Sequence, residues 1–173
     1  MKLKLLRFPD PFLDKKVAPF DFDKYDAKQI ESEMIEIMEK ENGVGLSANQ
    51  VGLDAQIFII KPEGLEGYED NKPFAIINPK ITAVSQETVL GEEGCLSFPL
   101  LFFKVKRPTG MVIECLDSSR KECTIELYDI DARCFLHEWD HLQGVEFTDR
   151  VSSLKLDMAK KKQKKLMRKL QHG

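Results

Sequence analysis

The sequence of 173 residues contains no long apolar segment. Its apolar stretches, such as the one around Gln56–Ile60, are far shorter than the roughly 20 residues that a membrane-spanning helix needs. The first residues, Met1–Pro9, place Lys2, Lys4 and Arg7 among single apolar residues, whereas a signal peptide has a continuous apolar core. We therefore expect a cytoplasmic protein with no membrane partner.

Cysteine is also sparse, with four residues in the whole chain. A cytosolic compartment keeps thiols reduced, so a metal-binding or catalytic role is favoured over two disulfide bridges. At least one of the four is therefore a candidate metal ligand. The cysteines are Cys95, Cys115, Cys123 and Cys134.

Basic residues are concentrated at the end of the chain. The formal net charge is −3, yet Ser152–Gly173 contains eight Lys or Arg residues and a single acid, Asp157. Residues 1–151 hold the remaining 18 basic and 28 acidic residues. An acidic body with a basic tail predicts that the tail, and not the body, meets a polyanion. A solvated charged helix is the alternative interpretation of the same run.

One amphipathic helix is predicted between Lys24 and Asn42, where apolar residues recur at three- and four-residue steps with acids between them. Gly43 and Gly45 are expected to end it. From Ala55 onwards, short β-rich runs alternate with proline and glycine, which is typical of a meandering antiparallel sheet. The predicted strands are Ile57–Ile60, Phe74–Ile77, Lys80–Val84, Phe102–Val105, Met111–Leu116 and Thr124–Leu127.

Two more helices are predicted after the strands. The first starts near Asp129 or Asp131, either of which could cap it, and runs to about Gly144. The other starts near Ser152 or Ser153 and carries the basic tail. The order helix, sheet, helix, helix indicates an α+β fold, because no regular βαβ alternation occurs. The length and the 42% hydrophobic content suit one compact domain.

The segment His137-Glu138-Trp139-Asp140-His141 carries the clearest chemical signal. Positions i and i+4 of a helix share a face, so His137 and His141 can bind the same metal ion. Glu138 can then move the proton of a water molecule that the metal activates. The same five-residue pattern also occurs by accident in unrelated proteins, where it is only a pair of surface histidines on a charged helix.

A catalytic metal site of this kind usually needs a third protein ligand. The residues downstream of His141 either follow it too closely or belong to the basic tail. Upstream, Cys95 follows Gly94, whose lack of a side chain allows close backbone approach, and a thiolate there would complete a Cys-His-His set. A small buried hydrophobe is the alternative for a free cysteine. The downstream residues considered are Glu146, Asp149, Asp157 and His172.

The segment Gly43–Gln50 follows the first predicted helix. Its glycines permit tight backbone approach to a ligand, and the Gln50 side chain offers an amide donor. Taken alone it would be an ordinary end of a helix. It is not a phosphate-binding loop, because the Gly-Lys-Ser/Thr sequence of such loops is missing.

In this order and spacing, Gly43–Gln50, Glu93–Ser97 and His137–His141 resemble the three motifs of peptide deformylases. The resemblance covers about residues 1–150 and implies antiparallel sheets wrapped around a central helix that carries His-Glu-x-x-His, flanked by an N-terminal helix and a basic C-terminal helix. Residues 1–151 would form the catalytic domain, and residues 152–173 would extend it. Further matching segments are Arg7–Asp10, Asn78-Pro79, Arg107-Pro108 and Gly144–Asp149.

Two positions depart from the family pattern. Leu136 stands where the family usually has a glutamine before the first metal histidine, so a hydrogen bond to the ligand shell would be missing. Ser47 stands where the family usually has alanine, and we expect this added hydroxyl to be tolerated. Neither change removes a ligand.

The resemblance implies specific roles for the motif residues. Cys95, His137 and His141 would bind the metal, and Glu138 would act as general base and then acid. The backbone N–H of Leu96 and the side-chain amide of Gln50 would stabilise the charge on the formyl oxygen. The expected metal is Fe²⁺, with Zn²⁺, Ni²⁺ or Co²⁺ as substitutes, because sulfur and imidazole ligands suit all four.

The same resemblance implies a formyl-methionine substrate. An apolar pocket would hold the methionine side chain, with Val44, Ile130 and Cys134 as candidates, although these residues could equally pack the core. Gly45 would bond the substrate main chain. The other candidate substrate-binding residues are Glu93 and Gly94, and Glu93 could also pair with Arg107 to position the Cys95 loop.

The expected partners are nascent formyl-methionyl peptides and, through the C-terminal helix, the ribosome. We expect no DNA partner and a monomer. The apolar run Phe98–Phe103 is either a buried strand or an apolar rim for the peptide. Two other functions compete with the hydrolase: a zinc endopeptidase that uses the same five-residue pattern and dispenses with Cys95, and a non-enzymatic RNA- or ribosome-binding module with a structural metal.

Overall fold

A computed structural model describes residues 2–173 and contains three α-helices and seven β-strands in that range. The arrangement confirms the predicted α+β class. The helices are α1 (Ala27–Lys40), α2 (Asp129–Leu142) and α3 (Ser153–His172). The strands are β1 (Gly45–Ser47), β2 (Ile57–Ile60), β3 (Phe74–Val84), β4 (Thr88–Cys95), β5 (Phe98–Pro108), β6 (Gly110–Leu116) and β7 (Glu122–Tyr128).

The strands form two antiparallel sheets and not the single meander that the sequence suggested. Five strands pair in the order β1-β2-β3-β6-β7, and β4 pairs with β5 in a separate hairpin. The predicted strands Phe74–Ile77 and Lys80–Val84 are one strand, β3, with a register irregularity between Ile77 and Lys80. The sequence patterns missed β1, which has three residues, and β4, whose glycines and glutamates have low β propensity.

Helices α1 and α2 pack on the larger sheet through apolar faces. In α1 the buried residues are Ala27, Ile30, Met34 and Met38, which recur at three- and four-residue steps. The Asp26 side chain caps the helix by accepting a hydrogen bond from the backbone N–H of Gln29 (3.1 Å). In α2 the ring of Phe135 meets that of Phe58 from β2 at a centroid distance of 5.2 Å.

The start of α2 differs from the prediction. Neither Asp129 nor Asp131 caps the helix: its N-cap residue is Tyr128, which makes no side-chain cap. The Asp131 carboxylate instead accepts hydrogen bonds from the backbone N–H groups of Glu63 (2.9 Å) and Gly64 (3.2 Å). Asp131 therefore fastens the loop after β2 to the helix that carries the histidines.

Helix α3 starts as predicted, with the Ser152 side chain accepting a hydrogen bond from the backbone N–H of Lys155 (3.3 Å). Leu156 and Ala159 pack on a small core made of Phe147 and residues of β5. Gln163 donates a hydrogen bond to the carbonyl of Pro99 in β5 (2.7 Å). The basic helix thus lies against the hairpin. In residues 2–173 no helix is long and apolar enough to span a bilayer.

Candidate active site

Three side chains with metal-binding atoms converge where α2 meets the end of β4. The ligand atoms of Cys95, His137 and His141 all lie within 4.8 Å of one another. Cys95 Sγ is 3.3 Å from Nε2 of His141, and the two imidazole centroids are 5.0 Å apart. The structure therefore brings together the three residues that the sequence predicted as ligands.

Two local features of the fold create this convergence. One turn of α2 separates His137 from His141, so both rings project from the buried face of the helix. Cys95 is the last residue of β4 and pairs with Phe98 across the tight turn into β5. The hairpin therefore presents its thiol directly to the helix.

A buried carboxylate fixes the orientation of His137. Nδ1 of His137 lies 2.9 Å from Oε1 of Glu93, which leaves Nε2 free to face a metal ion. Arg107 donates to both oxygens of Glu93 (2.9 Å each), which confirms the predicted ion pair. Burial raises the pKa of the Glu93 carboxyl, but hydrogen bonds from Arg107 and His137 outweigh it and bring the pKa to about 2. Glu93 is therefore ionised across the physiological range.

The donor set fits a transition-metal ion. One thiol and two imidazoles match the ligand types that iron, zinc, cobalt and nickel prefer. Burial lowers the pKa of His141 well below its ordinary value, so its ring is in the neutral form that binds metals. Burial acts the same way on His137, but hydrogen bonds to Cys95 and Glu93 outweigh it and raise its pKa. Nδ1 of His141 is buried without a hydrogen-bond partner among the residues described.

Glu138 lies beside the three ligands and is 4% exposed. A Cβ atom placed on Gly45 would come within 2.5 Å of Oε1 of Glu138, so the carboxylate rests against the glycine backbone. The other oxygen, Oε2, is buried without a partner within residues 2–173. Burial, as the largest cause, raises the pKa of Glu138 to about 7. A carboxyl with such a pKa can both accept and release a proton near neutral pH.

The side-chain amide of Gln50 points at the same place. Its Nε2 donates to Ser97 Oγ (3.2 Å) and lies 3.5 Å from Cys95 Sγ. Its Oε1 accepts hydrogen bonds from the backbone N–H (3.0 Å) and the hydroxyl (3.1 Å) of Ser47. The Ser47 hydroxyl, one of the two departures from the family pattern, therefore helps to hold the Gln50 amide in this orientation.

A cavity of about 480 Å³ opens onto Cys95 and His137, while His141 is fully buried behind them. Val44 and Ile130 on its wall are about half exposed, and Cys134 Sγ contacts the Val44 carbonyl at 3.4 Å. The ring of Phe102 lies against Gly94. The predicted site residues that line the cavity are Val44, Gly45, Gln50, Glu93, Gly94, Cys95, Leu96, Ile130, Cys134, His137 and Glu138.

Both interpretations of the run Phe98–Phe103 hold in part. Leu101 and Phe103 are buried with Phe147, as expected for a strand. Pro99, Leu100 and Phe102 line the cavity, as expected for an apolar rim. The alternation of buried and exposed positions along β5 explains why one run serves both surfaces.

Sequence reasoning missed several charged residues around the ligands. Arg133 donates to Glu93 at 2.8 Å, and Asp140 accepts hydrogen bonds from Arg107 (2.7 Å) and Arg150 (2.7 and 3.0 Å). A usable signal existed for Arg133: it is a basic residue four positions before His137, and therefore on the helix face that carries both histidines. No comparable signal pointed to Arg150.

Comparison with known proteins identifies relatives along most of the chain. Residues 2–157 match the protein family described as polypeptide deformylase. Peptide deformylase 1B, chloroplastic/mitochondrial, of Arabidopsis thaliana is 39% identical over 155 residues, which is 90% of this chain and 56% of that protein. The chain spans little more than half the length of this and the other plant relatives it matches.

Bacterial proteins match over nearly their full length. The peptide deformylase of Rhizobium meliloti (strain 1021) is 36% identical over 156 residues, covering 89% of this chain and 87% of that protein. The crystal structure of peptide deformylase from Thermotoga maritima superimposes with a TM-score of 0.78 at 36% identity, covering 88% of this chain and 99% of the other. Neither the endopeptidase nor the RNA-binding alternative is favoured by these similarities.

Proposed function

Because this chain belongs to the polypeptide deformylase family, we propose that it hydrolyses the formyl group from the N-terminal formyl-methionine of nascent polypeptides and releases formate. The observation that carries the proposal is the convergence of Cys95, His137 and His141 beside Glu138 at the base of an open cavity. Three protein ligands, as against four, are typical of catalytic sites that leave a position open for substrate or water.

Cys95, His137 and His141 would hold a divalent metal ion. When bound, the ion would polarise the formyl carbonyl and lower the pKa of a water molecule. Glu93 accepts the hydrogen bond at Nδ1 of His137 and would thereby keep the tautomer whose Nε2 is available as a ligand. We propose Fe²⁺ as the working metal, with Zn²⁺, Ni²⁺ and Co²⁺ as substitutes.

Glu138 would move the protons of the reaction. Its unpartnered Oε2 is free to take a proton from the attacking water, and its pKa of about 7 suits the later transfer of that proton to the departing amine. The balance is one water consumed, one formyl C–N bond broken, and formate plus a free N-terminal amine released. Burial keeps the carboxyl away from bulk water during these transfers.

Gln50 and Leu96 would stabilise the negative charge that develops on the formyl oxygen. Gln50 Nε2 lies beside Cys95 Sγ, and the side-chain amide is held by Ser47, which donates to Oε1, and by Ser97, which accepts from Nε2. Leu96 directly follows the cysteine ligand, so its backbone N–H belongs to the same turn. Donors fixed in advance are effective because they need no reorganisation when charge forms.

The methionine side chain would occupy the apolar part of the cavity. Val44, Ile130 and Cys134 line this part, and burial raises the pKa of the Cys134 thiol, which therefore stays neutral. Gly45 would bond the substrate main chain through its backbone, while the space where its side chain would stand is taken by Glu138. Gly94 and Glu93 complete the wall next to Cys95.

The C-terminal helix would serve a second, separable role. We propose that residues 1–151 form the catalytic domain and that 152–173 extend it with a helix that docks on ribosomal RNA. The Lys and Arg side chains of α3 are exposed, while Leu156 and Ala159 hold the helix on the hairpin. We also propose that the enzyme is a monomer and that it acts in the cytoplasm, where its substrate would arise on ribosomes.

The direct test is formate release by anaerobically purified, iron-loaded protein. We expect one formate for each formyl-Met peptide consumed, and no cleavage of an internally quenched peptide without a formyl group. Cleavage of internal peptide bonds without formate would support the zinc endopeptidase. A metal-loaded protein that cleaves neither substrate would support a binding module.

A further inference from the structure

Arg133 is a buried residue of α2 whose side chain reaches both strands of the β4–β5 hairpin. Its Nη2 donates to the carbonyl of Val89 (2.9 Å). Its Nη1 donates to the carbonyls of Gly91 (3.2 Å) and Val105 (2.7 Å). The same nitrogen donates to Oε2 of Glu93 (2.8 Å). Arg133, which is 7% exposed, thus donates hydrogen bonds to three strand carbonyls and one carboxylate.

The elements that Arg133 joins are the ones that carry the candidate metal ligands. Cys95 comes from β4, and His137 and His141 come from α2. Arg133 lies one helical turn before His137, and its β4 partners lie along the strand that leads to Cys95. The distance between the thiol and the imidazoles therefore depends on how firmly this hairpin is held to this helix.

Arg133 also completes the grip on the carboxylate that orients His137. Oε1 of Glu93 faces His137 and Arg107, while Oε2 accepts hydrogen bonds from Arg107 and Arg133. Arg107 approaches from β5 and Arg133 from α2. Arg107 therefore holds the carboxylate from β5, while His137 and Arg133 hold it from α2, and loss of Arg133 would leave Oε2 with Arg107 alone.

Gly91 provides the space for this guanidinium. A Cβ atom at position 91 would lie 2.7 Å from both Cζ and Nε of Arg133, which is closer than real Cβ contacts come. Any side chain at this position would push the guanidinium away from the strand carbonyls. Gly91 and Arg133 therefore form a matched pair.

We propose that Arg133 is a positioning residue for the metal centre: it fastens the strand that carries Cys95, and the carboxylate that orients His137, to the helix that carries both histidines. The proposal rests on the proposed function only for the identity of the reaction. It concerns metal retention, which can be measured without a formylated substrate.

The test measures Co²⁺ affinity by competition with a chelator, using the absorption of the cobalt–thiolate chromophore. Residues that position the metal ligands without touching the ion typically contribute 10- to 100-fold in affinity, so Arg133→Met should weaken Co²⁺ binding by about that factor. The Co²⁺ affinity of Arg133→Lys should lie between those of the parent and Arg133→Met, because lysine keeps the charge but lacks the planar fork that contacts several acceptors. The matched control is Asp131→Asn. Asp131 is a buried residue of the same helix that accepts hydrogen bonds from the backbone of Glu63 and Gly64. This variant should keep parental Co²⁺ affinity even if its melting temperature falls.

Gly91→Ala tests the same geometry without removing a charge. It should weaken Co²⁺ binding in the parent, because the new methyl group displaces the guanidinium. In the Arg133→Met background it should add little further loss, since the group it displaces is gone. Such non-additivity is the signature of residues that act as a unit.

Parental Co²⁺ affinity in Arg133→Met would overturn the proposal, as would equal losses from Gly91→Ala in both backgrounds. If Arg133→Met does not fold, Arg133→Lys and Gly91→Ala decide by the same criterion. A parent that binds Co²⁺ but releases no formate would contradict the proposed hydrolysis and would leave the Co²⁺ comparison as the test of Arg133.

Discussion

At the scale of single residues, Glu138 has two properties that the proposed reaction needs: a position beside the metal ligands and a carboxylate oxygen that is free to exchange a proton. Its carboxyl is buried beside the ligands, with one oxygen against Gly45 and the other without a partner in residues 2–173. Its neighbours in the motif, His137 and His141, are oriented toward a common point. Glu138 thus lies close enough to a metal site to move protons without being needed as a ligand.

The substitution Glu138→Gln should separate these roles. We expect the variant to keep its metal and its fold but to lose at least about two orders of magnitude in the rate of formate release, the scale of general acid–base catalysis. Metal content and turnover are measured on the same preparation. Loss of the metal would show that Glu138 is a ligand, and the assignment of roles would then be wrong.

Ser47 and Gln50 allow a graded test of charge stabilisation. Ser47→Ala removes one of two hydrogen bonds to Gln50 Oε1, and a net loss of about 0.5–1.5 kcal/mol corresponds to no more than about a tenfold drop in turnover. Gln50→Ala removes the donor itself and should lower kcat by about 10²–10³-fold. Equal effects of the two substitutions on kcat would argue that Gln50 is only structural.

Glu146 provides a test of pH dependence outside the metal centre. Burial, followed by repulsion from Asp14 and Asp149, raises its pKa from 4.5 to about 7. The folded state therefore binds this proton more tightly than the unfolded state, so stability falls as pH rises from about 4.5 to about 7. Below that window the group has no effect, and above it the penalty for burying the charge is complete.

Glu146→Gln should remove this penalty and keep the hydrogen bond from Thr148. We expect the melting temperature of the variant, relative to the parent, to be clearly higher at pH 8 than at pH 5, with both proteins metal-loaded. A difference that is the same at both pH values would contradict the raised pKa. A gain in melting temperature that is larger at pH 5 than at pH 8 would show that the pKa of Glu146 is lowered and not raised.

At the scale of elements, α2 and β4 show why prediction succeeded for one and failed for the other. Helix α2 has apolar and functional residues at helical spacing, so its extent was predicted to within two residues. Strand β4 contains Gly91 and Gly94 beside two glutamates, a composition that gives no β signal. It is a strand because β5, the next strand along the chain, pairs with it, and because Arg133 from the distant helix α2 donates to its carbonyls.

Helix α3 carries a prediction about ribosome docking that can be tested without disturbing its packing. The triple substitution Lys161→Glu, Lys164→Glu and Lys165→Glu changes exposed side chains and spares Leu156 and Gln163, which contact the hairpin. We expect it to abolish salt-sensitive cosedimentation with ribosomes, because each phosphate contact releases counterions. Hydrolysis of a short formyl-Met peptide should stay within a few-fold of the parent.

The matched control changes three exposed lysines elsewhere, Lys28, Lys72 and Lys121, to glutamate. This control should cosediment like the parent, since it carries the same charge change outside α3. Equal cosedimentation of both triple variants would contradict docking through the helix. Truncation is a poorer test, because a cut after Asp149 would also remove Arg150, which pairs with Asp140 next to the metal ligands.

At the scale of the whole molecule, the three motifs could be predicted because each is local in the sequence. Residue types and spacing within short segments indicate the Cys-His-His set and Glu138, whereas the role of Gln50 follows from the resemblance to the family. The charged network that holds these residues could not be predicted in this way, because its members are separated in the sequence. Glu93 is 40 residues from Arg133 and 14 from Arg107. Such pairings depend on the packing of the hairpin against α2, which periodicity and composition do not specify.

The central claim, that one metal ion held by Cys95, His137 and His141 drives formyl hydrolysis, is tested most directly by metal titration. Protein freed of metal by a chelator is titrated anaerobically with Fe²⁺ while formate release from a formyl-Met peptide is followed. We predict no turnover without metal, and a rate that rises linearly and levels off at one ion per chain. Turnover by metal-free protein at the rate of the loaded enzyme would contradict it, as would an undiminished plateau at one ion per chain in Cys95→Ala.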